Sequence, residues 1–576
     1  MKRHAYIAAA LFAAVPAIGF AQTFNPKVVI TNAYDGKVME VQKQEMEMVV
    51  PDSLSHFDLA FDYSVFDNPY TGSYEFSPYE MCFTPETSPY NSSSLYLRGG
   101  LGFTLHPELQ AVYTPSLKGP FTMSVYDDFK GYLGNYRNLE AQGGELGEWT
   151  IGERASDPYS GYDLTNRFGV RGIKKGKTSD FGFDANYGLL ASSDTIVTHM
   201  ANSLNLDLSL ASNYDIKDGI FCYDAGLGIS YLNDNFCGSH LSQIGADFDF
   251  SVSAELTDRA RIVVDFNEDL VKHDKELESF AGITRIVPKF EWNTSRVALG
   301  VGIAATLNMK GTDNTYAAGR MYKQTAQFLT PQLDFTFRLI PDYMAFYAYA
   351  GGGTYLNTYA SILSSHHMVD PFGCLQMGKF LDYSVTQLDA GAGFKGCVAG
   401  GLQYDVKAGW GSYDNVAMDA IVAFRELEGT PLRACIAYAD YSAFYTDLNL
   451  RWKSVKFEAD AYFRYQQTDC SKLNGVVAPA DFKGLAHVKY HFSDRLSFGV
   501  SGEYMSARTQ TTGIVVGDPV YIVPAFFDLG VFADYRLTSK LSLWAKGGNL
   551  LGQNIQRTVL YSEKGLIATV GACLNF

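Results

Sequence analysis

The 576-residue sequence predicts an all-β chain: a transmembrane antiparallel β-barrel of about 22 strands (about 20–24), with short periplasmic turns and long extracellular loops. Three observations carry this expectation. Segment after segment alternates apolar and polar residues. Tight turns and long connections take turns between these segments. An export signal opens the chain, and no later run reaches the roughly 18 apolar residues that a spanning helix needs.

The alternation is clearest in SVKFEADAYFRYQ, 454–466. Val455, Phe457, Ala459, Ala461, Phe463 and Tyr465 share one face of an extended strand; Lys456, Glu458, Asp460, Tyr462, Arg464 and Gln466 share the other. The pattern recurs. Leu204, Leu206, Leu208 and Leu210 alternate with Asn205, Asp207 and Ser209, and Phe248, Phe250 and Val252 alternate with Asp247, Asp249 and Ser251. Phe527, Leu529, Val531, Ala533 and Tyr535 alternate with Asp528, Gly530, Asp534 and Arg536, with Phe532 between them. A barrel in lipid requires this, because its outside meets hydrocarbon, its lumen holds water and its backbone has no free edge. A soluble chain of this length would divide into modules joined by linkers, and no Pro/Ser-rich linker interrupts 95–576.

Taken in order, strands are expected near 95–103, 107–114, 120–130, 162–174, 180–190, 198–212, 219–231, 241–256, 260–268, 280–292 and 297–307. They continue near 326–338, 343–353, 381–395, 400–411, 438–452, 455–466, 481–491, 496–506, 523–537, 540–548 and 566–576. Turns such as Leu256-Thr257-Asp258-Arg259, Asn293-Thr294-Ser295-Arg296 and Phe492-Ser493-Asp494-Arg495 are tight. The connections at 131–160, 232–240, 308–325, 354–380, 411–437, 467–480 and 507–522 are expected to be long loops, a two-sided asymmetry typical of outer-membrane barrels.

The ends carry their own signals. MKRHAYIAAALFAAVPAIGFAQ has a basic start, a short apolar core and small residues before Gln22, so residues 1–21 are expected to be a secretory signal peptide. Residues 22–94 are charged, then Tyr/Pro-rich, and are expected to be a periplasmic or lumenal extension preceding a barrel at 95–576. In GLIATVGACLNF the apolar residues Leu566, Ala568, Val570, Ala572, Leu574 and Phe576 share a face, and the chain closes on an aromatic ring. Leu574 and Phe576 are the candidate signal for the barrel assembly machinery.

Composition excludes other classes. A net charge of −16 with no basic stripe argues against nucleic-acid binding. Eight cysteines without a CxxC pair are too sparse for a disulfide scaffold, although a pairing such as Cys222 with Cys237 stays open in an oxidising compartment. No GxSxG, HExxH or phosphate-cradling motif appears, so no enzyme and no cofactor is expected. His366, His367 and Asp370 in SSHHMVD carry metal-ligand chemistry, but without a third histidine at ligand spacing they read as a solvated loop. His487 and His491 share a strand face about 13 Å apart, too far to share an ion. Tyr441, Phe444 and Tyr445 read as girdle aromatics, with glycan stacking the other option. The charges Lys456, Glu458, Asp460, Arg464, Asp528, Asp534 and Arg536, with Asp247 and Asp249, are expected to face the lumen as cross-strand ion pairs.

From about residue 380 the chain resembles the barrel of a TonB-dependent outer-membrane receptor in its Bacteroidetes form. The residues that carry the resemblance are PAFFDLGVFADYRLTSKLSLWAKGGNLLGQNIQ, 524–556, and the terminal GLIATVGACLNF, with HFSDRLSFGVSGEYM, 491–505, in the same style. The resemblance implies a wide barrel in the outer membrane of a Gram-negative cell, in contact with its lipid, and a link to TonB. It also implies a plug of well over a hundred residues, and 22–94 is too short for one. Val28-Val29-Ile30-Thr31 has the form of a TonB box, though these four residues favour an ordinary edge strand. Two functions follow: passage or uptake of a solute, or a non-transporting barrel subunit that docks a periplasmic or surface partner. A wide barrel without a plug would leak, so loops, the N-terminal segment or another protein should fill it.

Overall fold

A computed structural model describes residues 94–576 apart from 118, 144–147, 154–157, 195–196, 213–220, 310–326, 342, 378–379, 399–400, 424–431, 470–472, 474, 512–519 and 563–564. The expected signal peptide, the N-terminal extension up to residue 93 and Val28–Thr31 lie outside the described residues.

Twenty-two strands form one antiparallel sheet that closes on itself. Each strand pairs with the next barrel strand in the chain, and Ile567–Asn575 returns to pair with Leu95–Phe103, placing Leu574 opposite Leu97. The last residue completes the seam: the amides of Leu95 and Phe576 donate to each other's carbonyls at 2.9 and 2.8 Å. No backbone edge is left for lipid to meet, which a strand architecture in hydrocarbon demands. The outward residues match. Val570 is 65% exposed, Ile303 56% and Leu204 56%, values at home in hydrocarbon and costly for a row of apolar side chains in water. No helix among the described residues is long and apolar enough to cross a membrane.

Every expected strand is present, and the departures all lie at the loop end. The expected loop 411–437 is mostly strand: Leu402–Ala423 and Leu432–Lys453 run 22 residues each. About 9–11 residues cross the hydrocarbon, so this hairpin stands far above it. Its alternation breaks at a bulge between Tyr413 and Val416, where Asn415 adopts φ 53°. The bulge shifts the inward face by one residue, which is why a periodicity reading ends the strand there. The expected loop 232–240 is a two-residue turn, Cys237-Gly238, with φ of 47° and 92°. Positive φ at both central positions gives the turn whose twist suits a hairpin. Cys222 and Cys237 thus sit at opposite ends of Phe221–Phe236, about 50 Å apart along the strand, and no disulfide joins them.

Four further strands rise above the barrel. Leu139–Gly143, Glu148–Glu153, Val520–Val523 and Arg508–Thr511 form a separate small sheet built from two of the expected loops. The connection 357–382 holds two short helices, Tyr359–Ser365 and Pro371–Met377.

Inside the wall, large rings lie across glycines of neighbouring strands. Tyr349 is in register with Gly391, Gly391 with Gly409, and Gly409 with Tyr445. The two tyrosine hydroxyls meet at 2.5 Å over the glycine row. A Cβ added at Gly409 would come within 2.7 Å of the Tyr445 ring. The Gly409→Leu variant is therefore expected to lose about 1–3 kcal/mol by overpacking. A drop in the temperature at which the purified barrel loses its compact migration on a detergent gel would register this loss, and unchanged migration would count against the packing argument.

Candidate functional site: the closed mouth of the barrel

The loop end converges into a lid. Its centre is the connection 357–382, and local sequence builds both helices. Thr358 caps the first, accepting from the Ser361 amide at 3.1 Å, while the Ser361 hydroxyl accepts from the Thr358 amide at 2.9 Å. Tyr359, Ile362 and Leu363 then share one buried face at helical spacing. Asp370 begins the second helix, accepting from the amides of Phe372 at 3.1 Å and Gly373 at 2.9 Å. Pro371 follows at the first helical position, where a missing N–H costs nothing.

Barrel side chains finish what local sequence leaves open. The first helix offers two N-terminal amides. Tyr359 N–H points at His273 Nε2 at 3.3 Å, and Ala360 N–H donates to Gln243 Oε1 at 2.9 Å. Beside them, His199 Nδ1 lies 2.7 Å from Asp234, its Nε2 lies 2.7 Å from the Val369 carbonyl, and the Tyr359 hydroxyl donates to Asp234 at 2.5 Å. The side chains of His199 and Asp234 are fully buried. Asp234 also accepts from the Met200 amide at 3.0 Å, so three donors converge on one carboxylate. Burial, then the adjacent Asp234 carboxylate, pushes the Tyr359 phenol well up and keeps it a donor.

SSHHMVD is not the solvated loop its residues suggest. His366 pairs with Asp419 at 3.2 Å, His367 with Asp163 at 2.8 Å and Asp370 with Arg433 at 2.7 Å. Asp163 lies on the fourth strand of the closed sheet and Asp419 on the fifteenth, with ten strands between them in either direction. Two adjacent histidines therefore tie together half-turn-opposed strands of the barrel. Among the described residues, no group of three His, Cys, Asp or Glu is placed to hold a metal ion.

Apolar clusters seal the polar ties. Val197, Leu241, Val271 and Ile283 from one side, and Val422 and Ile436 from the tall hairpin, enclose Tyr359, Ile362, Leu363, Phe380 and Leu381. A second cluster gathers Ile151, Ile421, Val477, Val523 and Val559 from five parts of the loop end. Gln510 joins the clusters by reading the backbone of the tall hairpin. It accepts from the Ile421 amide at 2.7 Å and donates to the Ile421 carbonyl at 2.8 Å.

One residue of the lid titrates with consequence. His273 sits at the loop end of Ala260–Asp274, beyond the 9–11 residues that span hydrocarbon. Burial pushes its pKa down to about 3, partly opposed by Asp274. The folded form thus binds its proton more weakly than the unfolded form. Its contribution to lid docking is complete above the ordinary histidine pKa near about 6.5 and drains away as pH falls from there toward about 3. Protease cleavage within 357–382 is expected to quicken steadily between pH 7 and pH 4. His273→Gln, which keeps a hydrogen-bonding side chain without that titration, should flatten the profile; an equally steep profile would rule the assignment out.

The expected charge set falls mainly into pairs. Arg464 meets Asp447 at 2.8 and 3.2 Å, Arg451 meets Asp460 at 2.7 Å, and Lys453 meets Glu458 at 3.4 Å. Lys489 meets Asp534 at 3.7 Å, and Asn267 donates to Asp249 at 2.5 Å. Asp247 stands in register with Asp269. Asp528 is held at 2.5 Å by Arg557, which also reaches Glu503 at 2.8 Å. Lys456 lies in the turn before Phe457–Asp469 and Arg536 ends Phe526–Arg536 opposite Ser542. Tyr441, Phe444 and Tyr445 lie on Leu432–Lys453, which contains the strand expected at 438–452: Phe444 is exposed, Tyr441 packs at a tilt against Tyr413, and Tyr445 donates to Asp389. The lid residues His199, Asp234, Gln243, His273 and Tyr359 escape sequence reading, because no two of His199, Asp234, His273 and Tyr359 fall within one local motif.

These observations define the class: a closed 22-strand antiparallel barrel whose loop end is capped by its own connections. No family model matches the sequence, and no curated protein does. Solved structures share the fold. The FrpB iron transporter from Neisseria meningitidis (F3-3 variant) matches with a TM-score of 0.62 at 10% identity, covering 84% of this chain and 81% of that one. A mutant of the ferric enterobactin receptor PfeA from Pseudomonas aeruginosa matches at 0.58 and 10%, covering 84% and 80%. The copper transporter OprC matches at 0.60 and 13%, covering 84% and 80%.

Proposed function

We propose that this chain is an integral outer-membrane barrel of TonB-receptor type that admits a solute, and that its lid is the gate. The observation that supports it above the others is the pair His366–Asp419 and His367–Asp163, which spans the mouth of a barrel folded like iron and copper transporters. A barrel this wide is useful as a conduit and hazardous as an open hole. Ties built from side-chain pairs and small apolar clusters can release without disturbing the sheet.

Other parts of the reading attach to it. Residues 1–21 direct export, and 22–94 form the periplasmic or lumenal segment, with Val28–Thr31 as the weak candidate for a TonB contact. Leu574 and Phe576 present the terminal strand to the assembly machinery. The paired charges from Lys453 to Asp534 solvate the lumenal wall. The second reading, a non-transporting subunit, draws on the burial of the lid anchors, which hold the connection 357–382 against the barrel wall. Planar-bilayer recording of the purified full chain separates the two. Passage expects a quiet wild type with intermittent openings and a solute-dependent change in their frequency. Permanent silence, even with the lid removed, favours the subunit.

A further inference from the structure

The second lid helix carries a thiol that faces another thiol on the wall. Cys374 lies in Pro371–Met377 and Cys435 in Leu432–Lys453; both are free thiols, 0% and 2% exposed. The Ile436 amide, next to Cys435, donates to Cys374 Sγ at 3.2 Å, and the Cys435 thiol lies within hydrogen-bonding reach of the Cys374 thiol. The register is doubly fixed. Asp370 and Cys374 are four apart on the helix, Arg433 and Cys435 two apart on the strand, so each pair shares a face. Asp370 meets Arg433 at 2.7 Å on that same contact.

We propose that Cys374 and Cys435 form a disulfide in the exported protein, a covalent staple holding the lid to the tall hairpin. This rests on the export part of the reading above and not on solute passage. Exported chains meet an oxidising compartment. The co-reactant is a dithiol–disulfide oxidoreductase of the cell envelope. One cysteine thiolate attacks a sulfur of the oxidant's disulfide, forming a mixed disulfide and releasing one oxidant thiolate. The second cysteine thiolate attacks the chain's sulfur in that bond, forming Cys374–Cys435 and releasing the other oxidant thiolate. Two protons leave the chain and two electrons reduce the oxidant. Once the helix has docked, burial and the neighbouring Cys435 push the Cys374 thiol well up, so the bond forms before docking or during an opening.

The test begins with full-length protein extracted from the outer membrane without reductant. It is blocked with N-ethylmaleimide under denaturing conditions and digested for mass spectrometry. The expected result is a peptide pair linked through Cys374 and Cys435. In Cys374→Ser, Cys435 should become alkylated, and in Cys435→Ser, Cys374 should. Reductant should raise protease cleavage within 357–382 about tenfold or more in the wild type and leave it unchanged in Cys374→Ser. Maleimide on both cysteines of the unreduced wild type, or a link to any other cysteine, overturns the proposal. The wild-type measurement stands even if a serine variant fails to fold. A linked pair in a barrel that never conducts would defeat solute passage and leave the staple intact.

Discussion

A barrel whose lid has been excised should conduct. The Asn357 amide donates to the Asp382 carbonyl at 3.1 Å, and the Asn357 side chain reaches Ser384 at 2.7 Å. The ends of the lid segment are therefore already joined. Replacing 358–381 with a two-glycine turn would close the hairpin between Met344–Leu356 and Tyr383–Val398 without moving either strand. The excision removes Tyr359, Ile362, Leu363 and Phe380 from the main apolar cluster and both histidines that tie opposed strands. Steady single-channel conductance should rise by at least about tenfold over the wild type, since a wide barrel with no lid is an aqueous channel. The barrel itself should survive, because its ladder is closed below the lid. A lid-free barrel that keeps its compact gel migration and still passes no current would favour the non-transporting subunit, its lumen filled by something other than the lid.

Replacing Asp234 should release the lid almost as completely with a single side chain. Asp234 is fully buried and holds His199, the Tyr359 hydroxyl and the Met200 amide at once. Asp234→Ala removes the acceptor that these three donors share. Breaking a buried hydrogen-bonded pair by removing one partner costs about 3–5 kcal/mol. Local opening should become about 100- to 4000-fold more frequent. Hydrogen exchange of the 359–365 amides would report it, with Leu204 to Leu210 as an unaffected control inside the wall. Adding His199→Phe and Tyr359→Phe to Asp234→Leu should recover part of the loss, because two of the three donors then leave together with their acceptor. Exchange that stays slow in Asp234→Ala would show that the lid is held by its apolar clusters alone.

The anchors also explain why SSHHMVD misleads as a motif. Adjacent His366 and His367 suggest shared chemistry in one dimension. In three dimensions the backbone sends them to Asp419 and Asp163, on strands half a circumference apart. Their carboxylate partners lie about fifty residues later and two hundred residues earlier in the chain, and no spacing rule connects them. Ser192 and Tyr561 add to the same docking. The Ser192 hydroxyl donates to the His367 carbonyl at 2.5 Å and the Tyr561 hydroxyl to the Met368 carbonyl at 3.2 Å. Each is an ordinary polar residue in sequence.

The sequence by itself determined the barrel. Lipid on one side and water on the other impose a period of two on every strand, and that period is written in residues such as Phe457 to Gln466 and Leu566 to Phe576. Strand number and closure followed from the same repeated signal. Only the tertiary structure decided what stands above the membrane. There the two-solvent constraint lapses, bulges such as that at Tyr413 shift the faces, and apolar residues such as Ile421 and Ile436 are buried by protein instead of hydrocarbon. Burial by distant chain segments leaves no local period to read, so the lid and its anchors emerge only when the sheet has closed.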